Sequence, residues 1–105
     1  MIKEAFLLGE ENKYIILKGE FNVGRSKKDN SVDIQIKELL DLYISRKHCK
    51  IYNDGEKLEV MDIGSRNGTY VNDGRIKPGE KVILKDRDVL SLGGCGLEVK
   101  IVEEA

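Results

Sequence analysis

Apolar residues in this chain come in short runs that turn-forming residues keep interrupting. Phe6-Leu7-Leu8 stops at Gly9, Tyr14-Ile15-Ile16-Leu17 at Lys18-Gly19, and Phe21-Asn22-Val23 at Gly24. Asp33-Ile34-Gln35-Ile36 alternates, and so does Leu97-Glu98-Val99-Lys100-Ile101, which predicts one buried face for Leu97, Val99 and Ile101. Ile51-Tyr52 and Leu58-Glu59-Val60-Met61 flank Asn53-Asp54-Gly55, and Tyr70-Val71 runs into Asn72-Asp73-Gly74. Asn, Asp and Gly tolerate positive φ, so both tripeptides predict hairpin turns. Pro78-Gly79 marks another turn, followed by Val82-Ile83-Leu84 and Val89-Leu90-Ser91-Leu92. About ten or eleven short strands with frequent turns predict an all-β sandwich, with loops gathered at its two ends. Helical spacing occurs once, at Ile36, Leu39, Leu40 and Tyr43. It predicts a short helical turn near 36–42, too short to be stable alone.

Length and composition narrow the picture. The 105 residues fit a single domain over 1–105 with one core. Lys and Arg number 18 against 19 Asp and Glu, a net charge of −1, so no surface-wide field favours nucleic acid. Any anion binding must be local. Cys49 and Cys95 lie far apart with no CxxC, and His48 is the sole histidine, which leaves no metal quartet; two buried thiols are expected, with a disulfide or a metal pair as the alternative. Met1–Ala5 lacks a basic region followed by a long apolar run, and no apolar stretch approaches membrane-spanning length. The expectation is a cytoplasmic, monomeric protein with no cofactor.

Three polar clusters break the apolar pattern: Gly24-Arg25-Ser26, Ser45-Arg46-Lys47-His48 and Gly64-Ser65-Arg66-Asn67-Gly68-Thr69. Glycine costs conformational entropy inside regular structure, and Ser and Asn compete for backbone hydrogen bonds. Each cluster therefore reads as loop. Gathered at one end of a sandwich, they would form a compact receptor for an oxyanion. No nucleophile–base pair with an acidic partner and oxyanion hole is identifiable around His48, which argues against an enzyme.

These clusters in this order, with Val71-Asn72, Ile76-Lys77-Pro78-Gly79-Glu80 and Asp88-Val89-Leu90-Ser91-Leu92-Gly93 after them, resemble the forkhead-associated (FHA) domain over about 21–93. The resemblance implies an eleven-stranded antiparallel β-sandwich that binds phosphothreonine peptides through loops at one end. It implies an adaptor for a phosphothreonine-containing protein in Ser/Thr kinase signalling. A phosphate-independent assembly module, part of an oligomer or a secretion machine, is the alternative.

The resemblance also implies roles for single residues. Arg25 and Ser45 are the principal phosphate ligands. A phosphothreonine carries about −1.5 to −2 charges and three acceptor oxygens, which a planar two-pronged guanidinium suits. The Arg46 backbone N–H joins the cradle, its side chain either contributing or solvated. Asn67 holds the peptide main chain, since a carboxamide donates and accepts at once. Ser65 and Arg66 are further peptide-binding candidates; Arg66 either contacts the phosphate, pairs with an acidic peptide residue, or is merely exposed. Tyr43 either selects a flanking peptide residue or packs into the core. Gly24, His48, Gly64, Gly68, Thr69 and Asn72 shape the loops. The segment Glu38-Leu39-Leu40-Asp41-Leu42 either walls the peptide groove or covers part of the sandwich.

Overall fold

The computed structural model describes residues 1–25 and 32–105, so Ser26 of the first polar cluster lies outside the described residues. Eleven strands are found among the described residues: β1 (Ile2–Leu8), β2 (Lys13–Ile15), β3 (Gly19–Arg25), β4 (Ile34–Ile36), β5 (Cys49–Asn53), β6 (Leu58–Asp62), β7 (Thr69–Val71), β8 (Gly74–Arg75), β9 (Lys81–Leu84), β10 (Val89–Leu92) and β11 (Cys95–Glu103). They form two sheets, ordered β2-β1-β11-β10-β7-β8 and β4-β3-β5-β6-β9. Pairing is antiparallel except between β3 and β4, which run parallel with Val23 opposite Ile34. That one pair departs from the all-antiparallel expectation.

Alternation decides which faces meet. Cys49, Ile51 and Asn53 of β5 and Leu58, Val60 and Asp62 of β6 point inward, while Lys50, Tyr52, Glu59 and Met61 are partly exposed. From the other sheet Leu7, Leu90, Leu92, Leu97 and Val99 are buried against them. Each such side chain contributes roughly 1.5–3 kcal/mol by leaving water. Ile101 is only half-buried, packed against the core at its margin. Both thiols lie inside, free of any disulfide, and burial pushes their pKa values up.

Both Asn-Asp-Gly turns close hairpins. Val71 pairs with Gly74 across Asn72 and Asp73, whose φ values of 50° and 70° put two non-glycine residues in the left-handed region. At the other, Asn53 pairs with Leu58, and Asp54 Oδ1 accepts the N–H groups of Glu56 and Lys57.

The helical spacing yields less than its periodicity suggested. One 3-10 turn, Asp41–Tyr43, forms among the described residues, and of the spaced apolar residues only Ile36 enters the core. Leu39, Leu40, Leu42 and Tyr43 face solvent.

Candidate functional site

The site begins where β3 ends. Arg25 N–H donates to the Ser45 carbonyl (3.0 Å) and His48 N–H to the Val23 carbonyl (2.9 Å), clamping the 45–48 loop onto the strand. Gly24 lies beneath it. A Cβ there would overlap the Arg46 carbonyl oxygen, so only glycine lets the loop backbone approach this closely.

His48 joins that loop to the next one. It is fully buried; Nδ1 accepts the Ser45 N–H (3.0 Å), and Nε2 contacts the Gly68 carbonyl (2.8 Å). An accepting Nδ1 requires the proton on Nε2, which therefore donates to Gly68. Burial lowers the His48 pKa below its usual 6.5, outweighing the opposing pull of the Gly68 carbonyl and the Asp62 charge. The ring is neutral and structural.

Asp62, at the end of β6, organises the 64–69 loop. Its Oδ1 accepts the N–H groups of Gly64 (2.8 Å) and Ser65 (3.0 Å), and its Oδ2 accepts the hydroxyls of Ser65 and Thr69 (2.7 Å to Thr69). Burial would raise this carboxyl's pKa, but the donors more than offset it and hold the pKa below the usual value. The Ser65 hydroxyl oxygen accepts the Gly68 N–H (3.1 Å), and Gly68 adopts φ 90°, which favours glycine.

Two further bonds cross between loops. Ser45 Oγ accepts the Arg66 N–H (3.0 Å), which leaves the Ser45 hydroxyl proton free to be donated. Asn67 Nδ2 donates to the Tyr43 carbonyl (3.0 Å), leaving the second amide hydrogen and the amide oxygen for another partner. Among the described residues, the side chains of Arg25, Arg46, Lys47 and Arg66 enter no hydrogen bond or ion pair. A braced floor thus carries a rim of unspent donors and positive charge.

A family model, the FHA domain, matches residues 21–93. The chain belongs to the FHA-domain family. An FHA domain-containing protein of Arabidopsis thaliana is 38% identical over 71 residues, 68% of this chain and 17% of that protein. An oxoglutarate dehydrogenase inhibitor of Corynebacterium jeikeium is 38% identical over 53 residues, 50% of this chain and 35% of the relative. The chain thus spans far less than the full length of either. Among solved structures, an FHA domain analysed for phosphothreonine-dependent interactions superposes with a TM-score of 0.81 at 25% identity, covering 97% of this chain and 100% of the other. The FHA domain of an Arabidopsis thaliana hypothetical protein gives 0.80 at 30% identity, covering 97% of this chain and 88% of that one.

Within the FHA frame, Arg25, Ser45, Arg66 and Asn67 come to one end of the sandwich through the bonds above, and Arg46 joins them where its carbonyl rests on Gly24. Ser65 is placed differently from a ligand: its one proton goes to Asp62 and its oxygen takes the Gly68 N–H, so it braces the loop. Tyr43 is 52% exposed and does not pack into the core. Asn72 sits apart, at the β7–β8 turn. Its Oδ1 accepts the Val89 N–H (2.8 Å) and its Nδ2 donates to Asp88 (2.9 Å), fastening the turn to β10.

The three polar clusters do not include Asp62, although Asp62-Ile63-Gly64-Ser65 has the spacing of an Asx turn.

Proposed function

We propose that the chain is a phosphothreonine-peptide-binding adaptor, one module over 1–105 acting in the cytoplasm beside a Ser/Thr kinase. FHA domains are binding modules rather than enzymes. The observation that carries the reading is the Arg25 guanidinium, without a partner among the described residues, on the strand end that clamps the Ser45 loop, with the Ser45 hydroxyl proton left free by Arg66 N–H.

In this reading, Arg25 meets two phosphate oxygens and Ser45 donates to a third, while the rim N–H groups and the side chains of Arg46 and Arg66 add positive field. Asn67 grips the peptide main chain with the amide oxygen and hydrogen not used on Tyr43. Tyr43 contributes to choosing a residue that flanks the phosphothreonine. Charge-assisted hydrogen bonds contribute roughly 1.5–3 kcal/mol each, and micromolar binding needs about −8 kcal/mol. Two or three bonds to one phosphate therefore decide whether the peptide is bound.

An oriented peptide array tests this, run with phosphothreonine, phosphoserine and unphosphorylated versions. Strong preference for phosphothreonine is expected. Equal binding to all three would contradict it, and binding that also survives phosphatase treatment would favour a phosphate-independent assembly role.

A further inference from the structure

Leu39, Leu40 and Leu42 stand outward beside the recognition loops, exposed to 77%, 52% and 77%. Isolated apolar residues on a surface need no explanation, but a contiguous group on a fixed support does. The support is fixed from outside the segment. The Glu38 carboxylate accepts the N–H groups of Glu11 (2.8 Å) and Asn12 (3.1 Å) and the Tyr14 hydroxyl (2.5 Å). Asn12 Nδ2 donates to the Lys37 carbonyl (2.6 Å), and Glu38 N–H donates to Asp41 (3.2 Å). Pinned to the β1–β2 turn in this way, the segment does not fold its leucines onto the sandwich.

A trough of about 230 Å³ lies beside them, lined by Glu10, Glu38, Leu39, Leu40, Cys95 and Gly96. Its surroundings are acidic: Glu10 and Glu38 line it, and Asp41 stands between Leu40 and Leu42. The recognition rim is the opposite, carrying Arg25, Arg46, Lys47 and Arg66. The two surfaces meet at the β10–β11 turn: Cys95 and Gly96 line the trough, Gly93 N–H donates to the Gly68 carbonyl (2.8 Å), and Tyr43, whose carbonyl accepts from Asn67, lies against Gly93 and Gly94.

We propose that the leucine strip and its trough bind a second segment of the same phosphorylated partner, one bearing aliphatic side chains and a lysine or arginine. The proposal rests on the phosphothreonine reading, because continuity with that site is what selects the occupant. The phosphate lies against the basic rim, the aliphatic groups cover Leu39, Leu40 and Leu42, and the cation faces Glu10 and Asp41.

Fluorescence polarisation with degenerate phosphothreonine peptide pools tests it on the full chain. One pool is short; two others extend it, at either end, with leucine, isoleucine, lysine and arginine. At least one extended pool should bind about tenfold tighter than the short one. Leu39→Ser with Leu42→Ser should erase that gain while leaving short-pool affinity and the melting temperature unchanged. An extension carrying glutamate in place of the basic residues should gain nothing. No gain in either extended pool, or a gain that survives the double variant, would overturn the proposal. So would sedimentation showing a wild-type dimer that the double variant dissolves, which would assign the strip to a second copy. Arg25→Ala separates the two readings: it should weaken every pool. Phosphorylation-independent capture of an extended pool, lost only in the leucine variant, would keep the strip and sink the phosphothreonine reading.

Discussion

The floor and the rim of this site use their polar side chains in opposite ways. On the floor, His48, Asp62, Ser65 and Thr69 spend their polar atoms on one another and on loop backbone. On the rim, the side chains of Arg25, Arg46 and Arg66 spend none of theirs within the described residues. The contrast shows how a small loop cluster keeps strong donors idle without collapsing. The 45–48 and 64–69 loops are closed by buried groups that need nothing from solvent, so the rim cations are not required to hold them. Buried donors and acceptors are costly when unpaired, whereas exposed charges lose little by remaining solvated.

That division can be broken from the floor. Asp62→Ala leaves Gly64 N–H, Ser65 N–H and two hydroxyls without their acceptor. It should lower unfolding stability by about 3–5 kcal/mol, read from urea denaturation. His48→Ala, which strands the Ser45 N–H and the Gly68 carbonyl and opens a cavity, should lower it by about 2–4 kcal/mol. Ser45→Ala stands on the boundary between the two regions. It should cost about 1 kcal/mol of stability through the Arg66 N–H, and weaken phosphothreonine-peptide binding about tenfold by calorimetry.

The smallest expected effect is on pH dependence. Because burial depresses His48, the folded chain binds fewer protons than the unfolded one below about pH 6.5. The stability from the neutral ring is full above that value and is lost as pH falls through the lower folded pKa. Asp62, also depressed, adds a second loss beginning below about pH 3.8. Denaturation midpoints measured across this range should fall in those two windows, and His48→Ala should remove the first.

The strands and the polar clusters were legible because they rest on local rules. Alternation in Leu97–Ile101 and the left-handed tolerance of Asn72 and Asp73 need no distant partner. What escaped reading depends on pairing across the chain. Nothing near Asp62 in sequence reveals that Thr69 will donate to it, and nothing near Asn67 reveals the Tyr43 carbonyl. Ser65 looked like a ligand because its hydroxyl is indistinguishable, in sequence, from one left free. The spacing from Ile36 to Tyr43 suggested a helix face, yet the β1–β2 turn captures Glu38 and the leucines point outward. The local pattern was present, and a long-range carboxylate contact overrode it.

Arg25→Ala, measured for folding and for binding on one preparation, tests the separation of floor from rim most directly. Its stability should change by no more than about 0.5 kcal/mol, since its side chain has no partner among the described residues. Its affinity for a phosphothreonine peptide should fall by about 2–4 kcal/mol in calorimetry. Undiminished affinity, or a loss of stability as large as the loss of binding, would contradict the account.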